Sequence, residues 1–141
     1  EVILPDLNVL VFALNVRDPR HDRARRWLQS ALNGDEQVGL AWIVILGFLR
    51  VTTRPGVLGK PLDPSTALGL VDDWLALPGV EIVVPTAAHW PLLRSLFASV
   101  GVARNLTMDA HLAALAIEHG AGVASFDSTW CVTTASPTER P

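Results

Sequence analysis

The sequence predicts an α/β fold, a mostly parallel central sheet with helices on both faces, and two observations lead there. Short apolar runs at Val2 to Leu4, Gln37 to Leu40, Val80 to Val84 and Gly122 to Phe126 alternate with longer segments of helical spacing. That alternation is the pattern of parallel strands joined by helical crossovers, in which ligands gather at the carboxyl ends of the strands. Three aspartates, Asp6, Asp109 and Asp127, fall on that edge, each where an apolar, strand-like run breaks or a helix begins.

Taken in order, Val2 to Leu4 is β-branched and apolar, and after Asp6 the spacing of Val9, Leu10, Phe12 and Ala13 turns helical. A second helix is expected from about Pro19 to Leu32, with Ala24, Trp27, Leu28 and Ala31 on one face and Arg20, Arg23 and Arg26 on another. Pro19 suits its first turn. After the strand from Gln37, Trp42 to Thr53 reads as a helix apolar on almost every side until Arg50, wedged between partners. Asp63-Pro64-Ser65 offers a cap and a proline start for a helix ending near Leu77, where Pro78-Gly79 breaks it. Strand Val80 to Val84 and a helix over Thr86 to Val100 follow. Thr107 is expected to cap a helix whose Ala110, Leu112, Ala113, Leu115, Ala116 and Ile117 form a small-residue surface, stopped by Gly120. Gly122 to Phe126 returns as a strand, and Cys131 to Thr133 offers a last edge strand.

With 141 residues, half of them hydrophobic, the chain suits one domain with a sizeable core. Residues 1–133 are expected to form it, with 134–141 a loosely structured tail. A formal charge of −3 gives no global basic signature, so nucleic acid would have to be met by a local patch. The single cysteine, Cys131, lacks an internal disulfide partner and zinc-type spacing, which points to a reducing compartment and so to the cytoplasm. The longest nearly uncharged run, Val38 to Leu49, falls short of the roughly 20 residues of a membrane-spanning helix. The first apolar stretch carries Asp6 and Asn8 and does not resemble a signal peptide.

Carboxylates gathered at one point repel one another unless a cation lies between them, so the acidic edge implies a bound divalent metal. Oxygen-only ligands suit Mg²⁺ or Mn²⁺ better than zinc. A partly hydrated hard cation can bind a phosphate oxygen and activate water, which is what phosphodiester hydrolysis requires. Peptide or ester hydrolysis would need a nucleophile and base, and no Gly-x-Ser-x-Gly elbow, His-Glu-x-x-His helix or paired catalytic cysteine is legible. Any one of these aspartates can also be read as a helix cap or turn former. Their arrival on one edge favours the metal, and Asp6 most of all, because an acid set between two apolar runs is costly unless something there needs it.

Pro-Asp-Leu-Asn-Val-Leu-Val at 5 to 11, Phe-Leu-Arg-Val-Thr-Thr at 48 to 53, Asp-Ala-His-Leu-Ala-Ala-Leu-Ala-Ile-Glu-His-Gly at 109 to 120 and Val-Ala-Ser-Phe-Asp at 123 to 127 resemble the PIN-domain ribonucleases of VapC type, the toxins of toxin and antitoxin pairs. The resemblance spans nearly the whole chain. It implies a three-layer α/β/α sandwich, Mg²⁺-dependent endonucleolytic cleavage of RNA, a homodimer, and inhibition by a VapB-type antitoxin. Asp6, Asp109 and Asp127 match the family's metal-binding acids. Asn8 matches a polar position two residues after the first acid, with a helix-capping role as its alternative. Two positions depart from the pattern: Gly47 stands where many relatives carry a glutamate, and Thr129 where many carry a further acid. A depleted acid set leaves open a second reading, a PIN-like module that binds RNA or protein with little or no catalysis.

Arg50 has two readings, a phosphate contact or a structural ion pair. The basic stretch holding Arg17, Arg20, Arg23, Arg25 and Arg26 either tracks an RNA backbone, with Arg23 and Arg26 as substrate contacts, or is a solvated helix face. His111 is expected to pack instead of catalyse, and His21, His89 and His119 show no paired spacing. The five tryptophans read mainly as core or interface, and the apolar helix from Trp42 as a dimer seam or antitoxin groove. A phosphoacceptor domain is disfavoured, because Asp6 lacks a second acid two residues on and the sole lysine, Lys60, sits in a loop.

Overall fold

In a computed structural model, which describes residues 1–34, 36–100 and 106–126, the chain forms a three-layer α/β/α sandwich. Among the described residues it runs β1 (Val2–Pro5), α1 (Leu7–Leu14), α2 (His21–Asn33), β2 (Gln37–Ala41), α3 (Trp42–Thr52), α4 (Pro64–Ala76), β3 (Val80–Val83), α5 (His89–Val100), α6 (Leu106–His119) and β4 (Gly122–Ala124). The strands lie in the order β3-β2-β1-β4, and every pairing is parallel. The chain leaves β1 toward β2 and β3 on one side and returns as β4 on the other. Strand order therefore reverses beside β1, and the crevice outside the carboxyl ends of β1 and β4 is where such a sheet binds ligands.

Burial follows from this layering. β1 presents Ile3 and Leu4, β2 Val38 and Leu40, and all are almost wholly shielded, as strands covered on both faces require. α6 lays Ala110, Ala113, Ala114 and Ala116 inward, and their small size lets this helix approach β1 and β4 closely. It ends in a Schellman motif: Gly120 takes φ +61°, the Ala121 N–H donates to the Ala116 carbonyl at 2.8 Å, and the Gly120 N–H to that of Ile117 at 3.3 Å. Phe48 of α3 is 0% exposed and meets Trp74 of α4 edge to face, with ring centroids 4.9 Å apart.

Several boundaries differ from the expected ones. α2 starts at His21, beyond Pro19, because Asp18 holds the preceding turn: its side chain accepts the Arg20 N–H at 2.8 Å and its carbonyl that of His21 at 3.0 Å. Asp63 takes the hydroxyl of Ser65 instead of capping α4 through its side chain, although Pro64 does open the helix. Thr107 lies inside α6, one residue past its start, and so is not its cap. α5 begins at His89, after a turn in which the Thr86 hydroxyl accepts the Ala88 N–H and its carbonyl that of His89, both at 3.1 Å, while the Thr86 N–H and hydroxyl donate to Glu118 at 2.7 and 2.5 Å. β4 stops at Ala124, because the Phe126 N–H turns to Asn8. α3 is not enclosed all round: Trp42 and Leu46, one turn apart, are 51% and 59% exposed. Of the other tryptophans, Trp74 is buried, Trp27 half-buried and Trp90 exposed. The strand expected at Cys131 to Thr133 lies outside the described residues. No helix among them is long and apolar enough to cross a membrane.

Candidate active site

Asp6 stands where β1 hands over to α1. Its N–H donates to the Ala124 carbonyl at 2.8 Å, prolonging the β1–β4 ladder by one bond, and its extended backbone then opens α1 as the N-cap. Oδ1 accepts the Leu7 N–H at 2.7 Å, and Oδ2 accepts the hydroxyl of Ser125 at 2.9 Å. Ser125 is buried just past β4, so the carboxylate is clamped between two strand ends. Asn8, two residues on, is tied to the same strand end: its Nδ2 donates to the Ser125 hydroxyl and its Oδ1 accepts the Phe126 N–H, both at 3.4 Å. A role for Asn8 in orienting Asp6 is thus relayed through Ser125, a residue that sequence spacing did not single out.

Asp109 arrives from a different element, the first turn of α6, where a carboxylate is favoured by the helix dipole. It lines the same cavity of about 360 Å³ as Asp6 and Asn8, with walls supplied by Val11 and Phe12 of α1, Val51 of α3 and Met108 of α6. Two carboxylates and an amide in a largely apolar recess form a hard, oxygen-only donor set, with no His or Cys among the lining residues, and that chemistry fits Mg²⁺ or Mn²⁺. Among the described residues no three His, Cys, Asp or Glu side chains stand together as a complete metal site. Asp127 lies outside the described residues, immediately after Phe126.

Gly47 packs against this wall. A Cβ placed on it would come within 2.8 Å of Leu7 Cδ2, so the missing side chain lets α3 close onto the start of α1. Arg50 is exposed on α3 and does not line the cavity; its neighbour Val51 does. Arg23 lies over the Phe126 ring, with its guanidinium carbon 5.4 Å from the centroid. Arg26 turns its Nε to the Asp22 carbonyl at 3.2 Å.

A polar network sits where sequence spacing gave no pair. His89 Nδ1 donates to Glu118 at 2.5 Å, and His89 Nε2 shares a proton with His111 Nδ1 across 2.9 Å. His111 therefore packs by a specific hydrogen bond between α5 and α6. Burial, then the neighbouring His89, hold its imidazole below the ordinary value of 6.5. Burial pushes the Glu118 carboxyl up, but hydrogen bonds from Thr86 and His89 outweigh it and leave the net below 4.5. For both groups the folded state binds the proton less readily than the unfolded chain. Their stabilisation is complete above pH 6.5 and 4.5 respectively and drains away as acid is added. The melting temperature is expected to fall as pH drops below 6.5, less steeply in His111→Gln, and the further loss below 4.5 to shrink in Glu118→Gln. Unchanged pH slopes in thermal melts of both variants would rule the network out as their source.

A parallel α/β protein with carboxylates from two elements converging at the switch point of its sheet is the class that fold and site define. A model of the PIN domain matches residues 3–134. Ribonuclease VapC37 of Mycobacterium tuberculosis is 44% identical over 123 residues, 87% of this chain and 85% of that protein. Ribonuclease VapC33 of the same species is 36% identical over 127 residues, 90% and 89% of the two chains. In fold, the chain resembles a crystal structure of VapBC2 from Rickettsia felis bound to a promoter DNA fragment, with TM-score 0.65, 16% identity, and 92% and 90% of the two chains covered. The chain belongs to the PIN-domain family and, within it, to the group of the VapC ribonucleases.

Proposed function

We propose that this protein is a Mg²⁺-dependent endoribonuclease toxin that acts in the cytoplasm and is silenced by a VapB-type antitoxin. The observation that carries the reading is the convergence of Asp6 and Asp109 on one cavity at the β1/β4 switch point, in a chain whose relatives are ribonucleases. Asp6, Asp109 and Asp127 would hold the cation. When bound, such an ion neutralises charge on the phosphodiester and lowers the pKa of a coordinated water.

The chain's own groups do the rest. Ser125 fixes the Asp6 carboxylate, and Asn8 fixes Ser125, so the first acid does not have to be ordered when substrate arrives. The N-termini of α1 and α6 open toward the recess and soften the repulsion between the acids and a phosphate. Val11, Phe12, Val51 and Met108 lower the local polarity, which strengthens every charge interaction inside. Trp42 and Leu46 give α3 an apolar surface suited to a second copy in a homodimer or to the antitoxin.

The purified protein is expected to cleave single-stranded RNA internally when Mg²⁺ or Mn²⁺ is supplied, to stop when EDTA is added, and to lose activity when a VapB-type antitoxin is co-purified. Gel analysis with mapping of the new RNA ends checks this. RNA binding that persists with no metal-stimulated cleavage would overturn the enzyme reading in favour of a binding module, as the glycine at position 47 invites.

A further inference from the structure

The rim of the acidic cavity carries a second constellation that the metal chemistry does not use. Phe12 lines the cavity and meets Phe126 edge to face, with ring centroids 5.3 Å apart and planes at 69°. Both rings are only half-buried. Phe126 is held close to the acids, since it follows Ser125 and donates its N–H to Asn8. Two guanidinium groups cover the pair: that of Arg20 lies 3.8 Å from the Phe12 centroid and that of Arg23 5.4 Å from the Phe126 centroid.

Arg20 is held in this pose by Asp18. Its Nε and Nη2 donate to the two carboxylate oxygens at 2.8 and 2.9 Å, and its N–H donates to Oδ1 as well. That fork fixes the guanidinium in place while offsetting its charge, so Arg20 offers a planar surface more than a phosphate contact. Its side chain remains 49% exposed, which leaves room for a further layer.

Resting on the ribonuclease reading above, we propose that Phe12, Phe126, Arg20 and Arg23 form a stacking shelf for an unpaired base flanking the scissile phosphodiester. Single-stranded RNA is recognised chiefly by laying splayed bases on aromatic rings and guanidinium planes. Here a ring pair and two guanidiniums adjoin the carboxylates that would face the phosphate. The base lies on Arg20 and the exposed parts of the rings, with the Arg23 guanidinium beside the Phe126 ring. The shelf therefore positions substrate and is not catalytic.

The test compares binding of a short mixed-sequence single-stranded RNA with binding of the same backbone made abasic throughout, by fluorescence anisotropy in Ca²⁺ in place of Mg²⁺. Phe12→Leu keeps apolar volume without a π face, and Arg20→Lys keeps charge without a plane on an exposed residue, so its fold is secure. Each is expected to weaken binding of the ordinary RNA about tenfold and to leave the abasic strand unchanged. In Mg²⁺ the same loss should appear in KM far more than in kcat. Equal losses on both strands, or no loss on either, overturn the shelf. Wild-type cleavage that proceeds with unaffected variants overturns the shelf alone, whereas a wild-type protein that neither binds nor cleaves RNA overturns the ribonuclease reading with it.

Discussion

Asp6→Asn is expected to lower Mg²⁺-dependent RNA cleavage by about 100-fold or more while leaving the fold in place. The substitution is isosteric and exchanges a carboxylate oxygen for an NH₂ group, which removes the charge a hard cation needs. Little else should change. Asparagine caps a helix as well as aspartate does, and the amide oxygen can still accept the Leu7 N–H or the Ser125 hydroxyl. The cost in stability should stay within about 1 kcal/mol, the scale of one altered hydrogen bond. Initial rates on an RNA substrate and a thermal melt of the same preparation check both halves. Full retained cleavage would remove Asp6 from the site, and a collapsed melting temperature would mean that the carboxylate acts mainly as a structural cap. Asp109 enters the cavity from α6, so the two acids report on different elements of one site.

The contrast between Asp6 and Asn8 explains why a short polar segment can be read so far from sequence and no further. An acid between the apolar runs of β1 and α1 announces itself, because its position is expensive unless it is used. The same logic made Gly120 legible as the stop of α6, where a positive φ is required and met. What sequence spacing could not supply was pairing across the chain. Asn8 and Ser125 are 117 positions apart, and only the parallel register of β1 with β4 brings their strand ends together. His89 and His111 meet because α5 packs on α6, and no periodicity within either helix encodes that contact. The Phe12 and Phe126 rings join because the pairing of β1 with β4 sets the end of β4 beside α1. Element starts shifted where a polar side chain had a stronger local use: Asp18 held a turn that delayed α2, and the Thr86 hydroxyl held the one before α5. The sequence reads α3 as apolar on almost every side, wedged between partners and offering a dimer seam or antitoxin groove, and in the structure Trp42 and Leu46 face outward. The hydrophobic pattern records where apolar surface lies, not whether this chain or another covers it.

Phe48→Ala is expected to cost about 3–5 kcal/mol, a large part of the roughly 5–15 kcal/mol that holds a domain of this kind together. Phe48 is fully buried at the centre of α3, and its ring rests edge to face on Trp74 of α4. Truncation removes the apolar burial, leaves a cavity that the surrounding helices can only partly fill, and forfeits the aromatic contact. Its neighbour Thr52, also buried, satisfies its hydroxyl on the Phe48 carbonyl at 2.7 Å, so a shift of this turn would disturb a second buried group. The consequence reaches the site because α3 carries both Val51, a wall of the acidic cavity, and Gly47, whose bare backbone closes on Leu7 beside Asp6. Urea denaturation followed by tryptophan fluorescence should show a midpoint lowered by 1 M or more, given a slope of about 1–3 kcal/mol per molar. Metal-dependent cleavage measured well below that midpoint should fall as well, with KM rising as the wall loosens. A variant with an unchanged midpoint would show that α3 is held to the sheet chiefly by its other buried residues, Val44 and Ile45, and that the Phe48–Trp74 contact does not set the position of the cavity wall.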